Sequence, residues 1–87
     1  DSGCGIPPEQ INKIEDAIDM SSYDVVKFEA HSIKGAAYNM ASKYFGDAAR
    51  DLEHNAKNGN SQNIKDSFKL LKKEYEILQT LLREIKF

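Results

Sequence analysis

The segment VVKFEAHSIKGAAYNM, residues 25–40, decides the fold. Its apolar residues Val26, Ala30, Ile33, Ala37 and Met40 follow one another at steps of four and three, the spacing that lines up one face of an α-helix. At about 100° per residue that face points roughly 150° away from His31. The imidazole should therefore face solvent, almost opposite the core. Lys34 and Gly35 stand three and four positions after the histidine, beside it on the same surface. The cation would offset the charge of an anionic group brought to the ring. The missing side chain would let another molecule come close.

Three more helices read outward from this one. Pro7-Pro8 suits the start of a first helix, which carries Ile11, Ile14 and Ile18 on one face. Ser21 and Asp24 form a capping-box pattern ahead of the second. A third repeats the periodicity with Phe45, Ala49, Leu52 and Ala56, and Asn58-Gly59 should stop it. Asn60 or Ser61 can cap the last, whose stripe runs Ile64, Phe68, Leu71, Tyr75, Leu78, Leu82 and Ile85. No segment alternates with the period of a strand. Four apolar stripes with short connections bury one another best as an all-α, antiparallel four-helix bundle. We place the bundle at residues 7–87 and treat residues 1–6 as a flexible segment outside it. Stripes of this kind call for no cofactor.

Composition narrows the function. At 87 residues the chain is one domain, close to the size at which a single core needs good packing. A net charge of −2 gives no general basic surface, which argues against nucleic acid as a partner. Cys4 is the one cysteine and cannot form an internal disulfide, and no Cys/His spacing suits zinc, so no metal is expected. No apolar run reaches the roughly 20 residues that cross a membrane, and there is no secretory pattern. A cytoplasmic setting, no membrane contact and a monomer are the expectations. A start at Asp1 rather than methionine fits a piece of something longer.

Lys27, Phe28 and Tyr38 fall on or near the face of His31, Lys34 and Gly35. Exposed aromatics around a histidine would make a docking patch. The plainer alternative is that Phe28 and Tyr38 cover the edge of a helix junction. His54 should also be exposed, opposite the stripe of its own helix. It lacks the lysine and glycine that flank His31, and we read it as ordinary surface.

The stretch AHSIKGAAYNMA, residues 30–41, continues in register through Phe45, Ala49, Leu52 and Glu53 to Lys57-Asn58-Gly59. In this the chain closely resembles the histidine phosphotransfer (HPt) domains of phosphorelays. The resemblance implies a phosphocarrier without an ATP site of its own. His31 would attack the phosphoaspartate of a response-regulator receiver domain, or take phosphate from a sensor histidine kinase, and a receiver aspartate would take the group onward. Mg²⁺ and the acidic pocket would belong to the receiver. By the same resemblance Glu53 would hydrogen-bond the distal nitrogen of His31 and select its reactive tautomer, and Lys57 would add positive charge. Glu53 and Lys57 could equally be an i,i+4 surface pair.

Two departures stand out. Many HPt domains have glycine where this chain has Ala41. If a left-handed residue is needed there, Asn39 could supply it. The start, DSGCGIPPE at residues 1–9, resembles the glycine box of a sensor kinase's ATP-binding domain, but the surrounding α/β fold and the other nucleotide boxes are missing. Fusion, remnant, design and chance are all open as its origin. Two other roles stay in view: the C-terminal HPt portion of a hybrid sensor kinase, and a helical docking scaffold that carries no phosphate. A histidine kinase would need the absent ATP domain. The dimerising domain of such kinases also follows its histidine with an acidic residue and an Arg-x-Pro element, which Ser32-Ile33-Lys34 does not provide.

Overall fold

A computed structural model describes residues 6–39 and 43–84. They form four helices: α1 (Pro8–Asp19), α2 (Tyr23–Asn39), α3 (Lys43–Asn58) and α4 (Ser61–Glu84). There is no strand among the described residues. Cross-links show the antiparallel arrangement. The middle of α2 meets the second half of α3 through His31 and Glu53, while late α2 meets early α3 through Tyr38 and Asp47. Between α3 and α4, Phe45 lies against Tyr75 with ring centroids 5.8 Å apart, and Asn55 donates to Ser67 Oγ at 2.6 Å. α1 runs alongside α2 and α4 and closes the bundle.

The stripes form one core. Val26, Ala30, Ile33 and Ala37 of α2 are fully buried, as are Ala49 and Leu52 of α3 and Ile64 and Leu71 of α4. Alanines on both sides of the α2–α3 seam let the two backbones come close, and these helices share the largest interface. Met40, Ala41 and Ile85, the Leu82 side chain, and Asp1 to Gly5, with Cys4 and the glycines of the glycine-box motif, lie outside the described residues.

The helix ends explain the boundaries. Pro8 opens α1 after an extended Pro7, as the proline pair suggested. Gly59, with φ of 72°, ends α3. Its N–H reaches Ala56 O, and the N–H of Asn60 reaches Asn55 O, the two bonds of a Schellman motif. Asn60 then caps α4, its Oδ1 accepting from the N–H of Asn63 at 3.1 Å.

Three expectations need correction. Ser21 does not open α2. It has φ of 56° and closes α1, with Ser21 N–H on Ile18 O and Ser22 N–H on Ala17 O, a second Schellman corner. The first turn of α2 is anchored instead on the Ser22 carbonyl, which accepts from Val25 and Val26. Asn39 supplies no left-handed turn, because it ends α2 in helical conformation and Ser21 is the one described non-glycine residue with positive φ. Ile6 does not lie outside the bundle: it is 3% exposed, and its carbonyl accepts the Tyr75 hydroxyl at 2.9 Å. Ile6 therefore belongs to the packed core.

Candidate functional site

The site lies along the α2–α3 seam. Because Ala30 and Ile33 turn into the core, His31 between them turns out, and its side chain is 67% exposed. On α3, Leu52 and Ala56 face the core. That places Glu53 on the flank nearest α2, 100° round the helix from Leu52 by the ordinary turn of about 100° per residue. Its two carboxylate oxygens are divided between two groups of α2. Glu53 Oε2 lies 3.0 Å from His31 Nδ1, and Oε1 lies 2.9 Å from Lys34 Nζ.

Burial is the strongest single influence on the Glu53 carboxyl and pushes its pKa up, but the hydrogen bonds and the charges of Lys34 and His31 together outweigh it. The net effect holds the group below the usual glutamate value. An ionised carboxylate can only accept, so Nδ1 carries the imidazole proton. In the neutral ring the lone pair is then on Nε2, and among the described residues nothing bonds to that nitrogen.

The other expected residues distribute around this centre. A Cβ added at Gly35 would meet nothing within 4 Å, so no packing demand explains the glycine. Phe28 is 69% exposed. Lys27 and Lys57 are exposed and make no ion pair among the described residues. Glu53 and Lys57 are not paired with each other; Glu53 is taken by α2. Tyr38 is half-exposed and leans onto α3, where its ring covers Gly46 and its hydroxyl donates to Asp47 Oδ1 at 2.7 Å. That bond, with a little desolvation and the Asp47 charge, raises the Tyr38 pKa. Tyr38 thus covers a helix junction, while part of its ring stays available at the surface.

His54 is exposed, and the Asn58 amide donates to its Nε2 at 3.1 Å. That nitrogen's lone pair is occupied. Gly46, Asp47 and Arg50 escaped the sequence reading. Gly46 is buried, and its missing Cβ leaves the space that the Tyr38 ring fills. A glycine on the α2-facing side of an amphipathic helix is the signal that could have revealed that close approach. Arg50 stands with Asp47, Nη2 to Oδ1 4.0 Å. No group of metal-ligating side chains occurs among the described residues, and no described helix is long and apolar enough to cross a membrane.

The seam thus presents a surface histidine on a helix bundle, held by one carboxylate and flanked by a lysine. The Hpt domain family model matches residues 8–84, and the chain belongs to that family. Hpt domains serve histidine phosphotransfer in phosphorelays, working with kinases and receiver domains as carriers rather than catalysts. Comparison with curated proteins and with solved structures returned no match.

Proposed function

We propose that His31 accepts a phosphoryl group on Nε2 from the phosphoaspartate of a response-regulator receiver domain, or from a sensor histidine kinase, and passes it to a receiver aspartate. The observation that carries this reading is the Glu53–Nδ1 bond, which fixes the proton on the inner nitrogen and leaves the outer one nucleophilic. Phosphoryl transfer needs mainly positioning and charge neutralisation. The domain contributes the nucleophile, the Glu53 orientation and the Lys34 charge, while the metal and acidic pocket come from the receiver. Gly35 leaves clearance for that partner. Phe28, the exposed part of Tyr38, Lys27 and Lys57 form the rim it rests on, apolar near the centre and basic toward an acidic pocket.

The proposal includes a monomer, since the described stripe residues of the four helices, as far as Tyr75 in α4, are taken up by one core. It also includes a cytoplasmic setting, as the lone cysteine and the composition suggest.

The test is incubation with a ³²P-labelled receiver. Acid-labile label should appear on the wild-type chain. His31→Gln keeps a polar, helix-compatible side chain, so it should fold as before and take label only at background. His54→Gln should take label fully. Label lost with His54 and retained without His31 would overturn the assignment.

A further inference from the structure

Glu53 serves two masters on α2, and this has a thermodynamic consequence for the charged carrier. In the resting site Lys34 Nζ and His31 Nδ1 occupy separate oxygens of the same carboxylate, and Lys34 has no other ion-pair partner among the described residues. Resting on the phosphotransfer reading above, we propose that Lys34 is handed from Glu53 to the phosphoryl group when His31 is charged, so that the carboxylate competes for the lysine and weakens this carrier's hold on phosphate.

The chemistry balances without a proton. The Nε2 lone pair forms the N–P bond as the P–O bond to the receiver carboxylate breaks and that carboxylate leaves with its electron pair. Nδ1 keeps its proton throughout, because its acceptor is ionised in both states. The product is a phospho-imidazolium with a phosphoryl dianion on the exposed side of the ring. Lys34, one turn along the same face, then has two acceptors of unequal charge, and a charge-assisted bond to the dianion is the stronger. Taking it up requires leaving Oε1 of Glu53. The charged carrier gains the new bond less the old one, so the resting ion pair sets aside part of what Lys34 would otherwise contribute to holding the phosphate.

Glu53→Gln separates the two jobs of the carboxylate. The amide oxygen can still accept from Nδ1, but the amide nitrogen cannot accept from an ammonium, so Lys34 is released in the resting state. The measurement is the equilibrium partition of ³²P between the receiver and this domain, for wild type, Glu53→Gln, Lys34→Ala and the double variant, with helicity checked by circular dichroism. Equilibrium is independent of how fast each variant reacts. Glu53→Gln should move the partition toward the domain about five-fold, the effect of a partly exposed charge pair near 1 kcal/mol. In the Lys34→Ala background the same change should move it less than about two-fold, since nothing remains to hand over.

No shift on Glu53→Gln overturns the handover. So does an equal shift in both backgrounds, which would mean that the carboxylate acts on the phosphoryl group or the ring directly. A wild-type chain that takes no label on His31 overturns the site reading itself, a result these two outcomes cannot imitate.

Discussion

At the scale of single residues the site is a question of which nitrogen holds the proton, and Glu53 answers it. Glu53→Ala removes the acceptor from Nδ1 and the anchor from Lys34 together. Label uptake from a phosphorylated receiver should slow about ten-fold, as when other orienting partners of histidine are lost, and unchanged rates would mean that the ring needs no holding. The carboxyl is held below the ordinary glutamate value, which fixes the sign of its pH effect. Its contribution to stability is present above the ordinary glutamate pKa and disappears as pH falls through the lowered folded value. A ¹³C titration of the Glu53 carboxyl should show a midpoint below the ordinary glutamate value, and Lys34→Ala should raise it.

Gly35 works the other way. With open space where its Cβ would be, Gly35→Ala should raise stability by about 1 kcal/mol through helix propensity alone. Gly35→Arg should fold yet transfer poorly if the receiver approaches over this position as proposed, because its side chain would fill the open space there. Normal transfer by the arginine variant would remove the functional reason for the glycine. His31, Lys34 and Gly35 were legible in the sequence because helical periodicity settles which neighbours share a face. Glu53 was not legible in that way. Its bond to His31 joins residues 22 apart on different helices, and resemblance alone pointed to it.

At the scale of elements the corners between helices matter most. Ser21 takes a left-handed backbone conformation, which a residue with a Cβ adopts at a cost of roughly 1–2 kcal/mol. Glycine adopts it freely but loses more freedom on folding. Ser21→Gly should therefore raise the free energy of unfolding by about 1 kcal/mol or less, and a lowered value in denaturant unfolding would show that the serine side chain has a use at the corner. The sequence misled here for a physical reason. Serine at the head of a Ser-x-x-Asp spacing suits a helix start, and nothing local distinguishes that from a corner in which the preceding helix claims the same residue. The α3–α4 corner was legible because glycine has one strong preference there, and Gly59 follows it.

For the whole molecule, closure of the bundle depends on more than the four stripes. Ile6 is buried, and its carbonyl receives Tyr75 from the last helix. The residue sits between glycine and proline, with no periodic neighbours to mark it as core, so sequence periodicity passed over it. Ile6→Ala should cost about 2–4 kcal/mol, a large share of the 5–15 kcal/mol typical of a domain. Denaturant unfolding measures it, and a loss below about 1 kcal/mol would show that the segment merely rests on the surface. The fold class and all four helices, by contrast, were readable from spacing alone, since each stripe had to be covered by the others.

The seam between α2 and α3 also bears on how the domain comes into being. The groups that would handle phosphate all stand on two adjacent helices joined by a short connection, while α1 and α4 contribute core and closure. Contacts of such short sequence separation cost little loop entropy and form early on a folding pathway. The hairpin that carries His31 and Glu53 is thus positioned to act as the folding nucleus. Substitutions along its buried face, at Ala30 or Leu52, should slow refolding, whereas those at Ile14 or Ile64 should chiefly hasten unfolding. Selection for a working relay and selection for rapid, clean folding then fall on the same thirty-odd residues.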